Sequence, residues 1–151
     1  MPNIDVNGQS IHYIETGTGP ETIVFSHGYL MRHQIFDAQI AELSTTHRVI
    51  AFEHRGHGNS GPCYDAFGIY DLVDDTAVLI DTLVGGPVYF AGMSTGGYVG
   101  LRLLLRRPDL IKRLVMIDTA AQAEDSAQLK NIIYCYFWCG SSASVRCLGK
   151  P

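Results

Sequence analysis

Apolar positions change their spacing along the chain, and the changes mark out the elements. Ile4–Val6 and Ile11–Ile14 are short strand-like runs on either side of Asn7-Gly8, a dipeptide that readily takes the positive φ of a tight hairpin. After the turn cluster 16–20, Thr22-Ile23-Val24-Phe25-Ser26 is nearly continuous in apolar character, as in a strand covered on both faces. From Gln34 to Leu43 the apolar residues Ile35, Phe36, Ala38, Ile40 and Leu43 predict a helix with one buried face. Arg48–Phe52 predicts a second buried strand, and residues 53–62 form a loop rich in Gly and His. Ile69–Leu83 then has helical spacing, with Leu72, Val73, Thr76, Leu79, Ile80 and Leu83 on one side. Asp71, Asp74, Asp75 and Asp81 lie elsewhere on it and predict a solvated face, and Gly85-Gly86-Pro87 ends the helix. A strand at Val88–Ala91, a helix from Gly97 to Arg106 and a strand at Lys112–Asp118 complete the series. Alternation of this kind predicts an α/β fold: a mostly parallel sheet with right-handed crossovers, flanking helices and an N-terminal β-hairpin.

Composition narrows the setting. At 151 residues and 46% hydrophobic, the chain can bury a core of single-domain size. A formal charge of -4 offers no basic patch for nucleic acid or an anionic membrane. No apolar run approaches the roughly 20 residues that a membrane-spanning helix needs. Residues 1–10 lack the charged start and apolar run of a signal peptide, so a cytoplasmic location is expected. Cys63 stands alone, while Cys135, Cys139 and Cys147 crowd the last stretch. Without a companion histidine they make a poor zinc set, and they are expected to be incidental thiols.

The most informative segment is Gly92-Met93-Ser94-Thr95-Gly96, which joins the strand at Val88 to the helix at Gly97. A serine between small residues on a sharp strand-to-helix turn is a nucleophile elbow. The turn is strained and neighbouring backbones pass close, hence the glycines. The helix start aims N–H groups at the place where an oxyanion would form.

Taken with Phe25-Ser26-His27-Gly28-Tyr29 and the loop Glu53-His54-Arg55-Gly56-His57-Gly58-Asn59-Ser60, the elbow makes the chain resemble the α/β-hydrolase superfamily over roughly residues 9–122. The second segment resembles the family's His-Gly loop. The third resembles its Asp-x-Arg-Gly-x-Gly-x-Ser loop, with Glu53 in place of the usual Asp. The resemblance implies a partial α/β-hydrolase fold, with residues 1–118 as the N-terminal part of the core and 119–151 as an atypical tail or the start of a cap region. It makes Ser94 the nucleophile and the backbone N–H groups of Tyr29 and Thr95 the oxyanion hole, and it places Gly28, Leu30 and Met93 at the substrate. A serine here favours an esterase, lactonase, perhydrolase or carbon–carbon bond hydrolase over the family's aspartate-based dehalogenases. The partner implied is a small ester-like molecule, with no cofactor and no metal.

No histidine follows Ser94. His27 is a weak candidate base, and a structural role behind the oxyanion loop suits it better. Asp118 is a weak candidate acid, better suited to a turn or cap. His54 and His57 are expected to shape their loop, and His12, His33 and His47 to be surface or strand-end residues. The chain is therefore expected to be a weak or inert serine hydrolase, the alternative being a non-catalytic ligand-binding module on the same fold. Residues 122–130 are also where an authentic reading frame could have been lost, which would leave a foreign tail. A sheet ending at Leu114–Ile117 predicts self-association through its apolar edge.

Overall fold

The computed structural model describes residues 2–120 of the protein. Among these, six strands form one sheet in the order β1-β2-β4-β3-β5-β6. The hairpin is β1 (Asn3–Val6) and β2 (Gln9–Thr16), closed by Asn7 and Gly8 with φ of 52° and 75°. β2 pairs antiparallel with β4 (Arg48–Phe52), whereas β4, β3 (Thr22–Ser26), β5 (Val88–Met93) and β6 (Ile111–Ile117) run parallel. The predicted strands are therefore present in a mixed, mostly parallel sheet. β1 and β2 are antiparallel because their two-residue turn reverses the chain directly, whereas parallel neighbours need crossovers.

The two faces carry separate apolar clusters. On one side α2 (Ile69–Leu83) and α3 (Thr95–Arg106) bury Leu72, Leu79, Ile80, Val99 and Leu103 against Val24, Ile50, Phe52 and Phe90. Each such aliphatic side chain contributes about 1.5–3 kcal/mol through removal from water. On the other side Phe36 and Ile40 pack on Ile23, Phe25, Val49, Ala51 and Ala91, with Ile40 supplied by α1 (Asp37–Leu43). β3 is buried along its whole length, which explains its unbroken apolar run. The helix expected from Gln34 begins instead as a 3-10 turn at His33–Phe36, with the His33 ring drawn inward onto Glu53.

The four aspartates of α2 do not share one solvated face. Asp71 accepts the Gly68 N–H at the helix start (2.7 Å), which stabilises the first turn. Asp75 is buried and receives two bonds from the Arg55 guanidinium, both 2.6 Å, and one from Asn7 Nδ2 at 2.9 Å. A bidentate pair of this kind ties the loop after β4 to α2 and to the hairpin turn. Helical spacing could not reveal it, because the partner lies twenty residues away in sequence.

β6 is the last strand of the sheet among the described residues. Its Leu114 side packs towards α3, where Leu114 lies beside Gly100. On the opposite face Val115 is 53% and Ile117 37% exposed. The apolar exposure thus includes a face as well as an edge. No helix among the described residues is long and apolar enough to cross a membrane. The tail beyond residue 120, including three of the four cysteines, lies outside the described residues, whereas Cys63 is buried and free.

Candidate functional site

The parallel strands end together, and the loops leaving them gather the candidate residues at one sheet edge. Ser94 follows β5 directly and has φ 49° and ψ −112°, a conformation that costs a non-glycine residue about 1–3 kcal/mol. Its N–H donates to the Ile117 carbonyl (2.9 Å), while its carbonyl accepts the Tyr98 N–H (3.1 Å) and the Thr119 hydroxyl (3.1 Å). The turn is thus held from both β6 and α3. A Cβ on Gly92 would strike the Gly96 backbone, and one on Gly96 would strike the Ser26 backbone, so only glycine fits at these two positions. Among the described residues the Ser94 hydroxyl has no hydrogen-bond partner.

Thr95 opens α3, where first-turn N–H groups have no intrahelical acceptor. Gly28 lies against the elbow: a Cβ built on it would stand 3.4 Å from Ser94 Cβ and 3.1 Å from Met31 Sδ. Gly28, at the start of the loop after β3, therefore lies directly against the serine. Leu30, with φ 55° and 56% exposure, projects at the rim. An open cleft of about 340 Å³ runs beside it, lined by Leu30, Met31, Arg32, His57, Ser60 and Pro62 among others. Ser94 is not one of its walls, so the cleft does not enclose the serine.

Both ring nitrogens of His27 are engaged. Nδ1–H donates to the Gly28 carbonyl at 2.7 Å, and Nε2 accepts the His54 backbone N–H at 3.1 Å. That pattern requires the neutral imidazole. Burial pushes its pKa down to about 4, despite the opposing pull of the Gly28 carbonyl. In this arrangement His27 has no nitrogen to offer Ser94; it holds Gly28 in place. His54 lies against it, with Nε2 3.1 Å from Ser26 Oγ and 3.3 Å from the His27 carbonyl, and burial holds its pKa well below the usual histidine value. His57 Nδ1 meets the Arg55 carbonyl at 3.0 Å, and burial lowers its pKa too. Three neutral rings therefore brace the two loops.

Asp118 is the residue after Ile117, which pairs in register with Met93, so it follows β6 as Ser94 follows β5. It is exposed with φ 49°. Met93 is half-buried at the end of β5.

Two expectations need correction. His12 and His33 are buried rather than superficial. His33 Nδ1 meets Glu53 Oε1 at 2.9 Å, while Glu53 Oε2 accepts the Asn59 N–H and the Glu53 carbonyl accepts the Ser60 hydroxyl at 2.6 Å. Burial of an acid in this loop invites a search for its partner. Which histidine answers depends on the fold, because His33 stands twenty residues earlier. The Thr119 bond to the elbow carbonyl likewise carried no sequence signal.

Ser94 thus stands on a strand-to-helix turn at the ends of the parallel strands, in a sheet covered on both faces, with Gly28 from the adjacent strand against it. The chain belongs to the family of the alpha/beta hydrolase fold, whose model matches residues 21–133. It is 35% identical over 112 residues to (E)-2-((N-methylformamido)methylene)succinate hydrolase of Acinetobacter baylyi, covering 74% of this chain and 42% of that protein. Over 108 residues it is 32% identical to the pimeloyl-[acyl-carrier protein] methyl ester esterase of Nitrosomonas europaea, covering 72% and 40%. The enol-lactonase of Burkholderia xenovorans superposes with a TM-score of 0.76 at 34% identity, covering 80% of this chain and 48% of that one. The chain thus spans less than half the length of these relatives.

Proposed function

We propose that the chain carries the nucleophile-bearing part of a serine hydrolase that acts on a small carboxylic ester or lactone. The observation that carries the reading is the strained Ser94 turn at the start of α3 with the Gly28 loop against it. The named activities of the relatives, which include a methyl ester esterase and an enol-lactonase, support the substrate class.

In this reading Ser94 Oγ attacks the substrate carbonyl carbon and its proton passes to a base. The carbonyl oxygen becomes an oxyanion that the Tyr29 and Thr95 N–H groups stabilise. Collapse of the tetrahedral intermediate expels the alcohol and leaves an acyl-enzyme, which water then hydrolyses. Each oxyanion donor of this kind contributes about 100- to 1,000-fold in rate. Gly28, Leu30 and Met93 flank the substrate, and His27 acts through Gly28 as a positioning residue.

All six histidines precede Ser94, and His27 is committed to the backbone. We therefore infer that these 151 residues hydrolyse weakly on their own. Loss of a triad histidine costs about a million-fold, and the oxyanion hole with binding retains roughly a thousand-fold over water. Asp118 could serve as an acid only if a histidine reached it. We also infer self-association through β6.

The test is intact mass after exposure to a fluorophosphonate probe, with Ser94→Ala as control. The expected result is a single slow adduct, absent in the variant. A folded protein that stays unlabelled at high probe concentration overturns the nucleophile assignment. Saturable ligand binding that is insensitive to Ser94→Ala would then favour a binding module.

A further inference from the structure

Away from Ser94, three side chains with metal-ligating atoms converge inside the protein: His12 on β2, His33 at the 3-10 turn and Glu53 directly after β4. Their exposures are 3%, 5% and 0%. One ligand atom from each lies within 4.8 Å of the others. His33 Nδ1 and Glu53 Oε1 are already 2.9 Å apart. His12 Nδ1 is held by Asn3 Oδ1 at 3.0 Å, which leaves Nε2 for the cluster, and among the described residues the buried Nε2 has no hydrogen-bond partner. An unpaired buried nitrogen is unfavourable, and here it neighbours a buried carboxylate. We propose that His12, His33 and Glu53 form a structural site for a divalent metal ion of the zinc class.

Two imidazoles and one carboxylate are donors of the borderline type that zinc takes, in preference to the all-oxygen sets of magnesium and calcium. A tetrahedral ion with bonds of about 2.1 Å holds its ligands roughly 3.4 Å apart, so the His33–Glu53 pair must open by about 0.5 Å while the longest separations close by about 1.4 Å at most. The ion exchanges hydration waters for three protein atoms and keeps one water. Asn3, on Nδ1 of His12, orients that ring as an outer-shell partner does. The consequence is a clamp that joins the hairpin, the segment after the oxyanion loop and the loop after β4. It supplies no atom to the reaction at Ser94.

The probes are zinc chloride and cobalt chloride, titrated by calorimetry and absorption into the metal-stripped 151-residue chain. Cys135, Cys139 and Cys147 are replaced by serine so that thiols do not compete. The expected result is one ion per chain, with affinity at least tenfold weaker in His12→Ala and Glu53→Gln and unchanged in His47→Ala. Binding that survives His12→Ala in a folded chain overturns the proposal, as does no binding at all. Should His12→Ala fail to fold, the cobalt spectrum of the parent chain decides. A tetrahedral nitrogen–oxygen spectrum displaced by zinc supports the site, and a hexa-aquo spectrum rejects it.

Discussion

Acidification should destabilise the protein measurably through His27. The ring is neutral in the fold, donating through Nδ1 and accepting through Nε2, and its pKa is about 4 against an ordinary value of 6.5. Between those values the unfolded chain holds a proton that the folded chain refuses, so stability rises with pH and is lost as pH falls from 6.5 towards 4. From about pH 7.5 to about pH 5 the two binding curves separate by about 2 kcal/mol for this one group. That is a large share of a typical domain stability of about 5–15 kcal/mol. His54 and His57 are shifted in the same direction, so the parent chain should lose more than this in total. Urea unfolding across that range, compared with His27→Gln, isolates the His27 part. The variant should be less stable at neutral pH, yet its stability should fall about 2 kcal/mol less on acidification. Parallel curves for the two proteins would refute the reasoning. If the variant fails to fold, proton NMR of the His27 ring in the parent chain reads the same quantity, and a midpoint near 6.5 refutes it.

Two other substitutions test the packing directly. Gly96→Ala drives a methyl group into the Ser26 backbone and should cost about 3 kcal/mol or more in thermal or urea unfolding. Gly86→Ala, which meets nothing within 4 Å among the described residues, should change stability by less than about 1 kcal/mol; equal effects would show that the close approach at Gly96 is not rigid. Val115→Lys on the exposed face of β6 should reduce self-association in sedimentation velocity without altering the unfolding midpoint, and unchanged association would place the contact elsewhere.

Much of the fold could be read from local pattern. β3 and β4 have the limits that their apolar runs predict, as does α2, because burial on both faces or along one helical stripe leaves a periodic trace. The elbow was equally legible: strain at Ser94 and close approach at Gly92 and Gly96 restrict those positions to particular residue types. The partners were not legible. Arg55 finds Asp75, His33 finds Glu53 and His12 joins them only because the sheet brings separate segments together. Sequence alone therefore determined the elements, the sheet class and the candidate nucleophile, each of which depends on the chemistry of neighbouring residues. Tertiary structure decided which polar groups are buried and what they bind. A polar side chain signals its burial only through a partner, and that partner can stand anywhere along the chain.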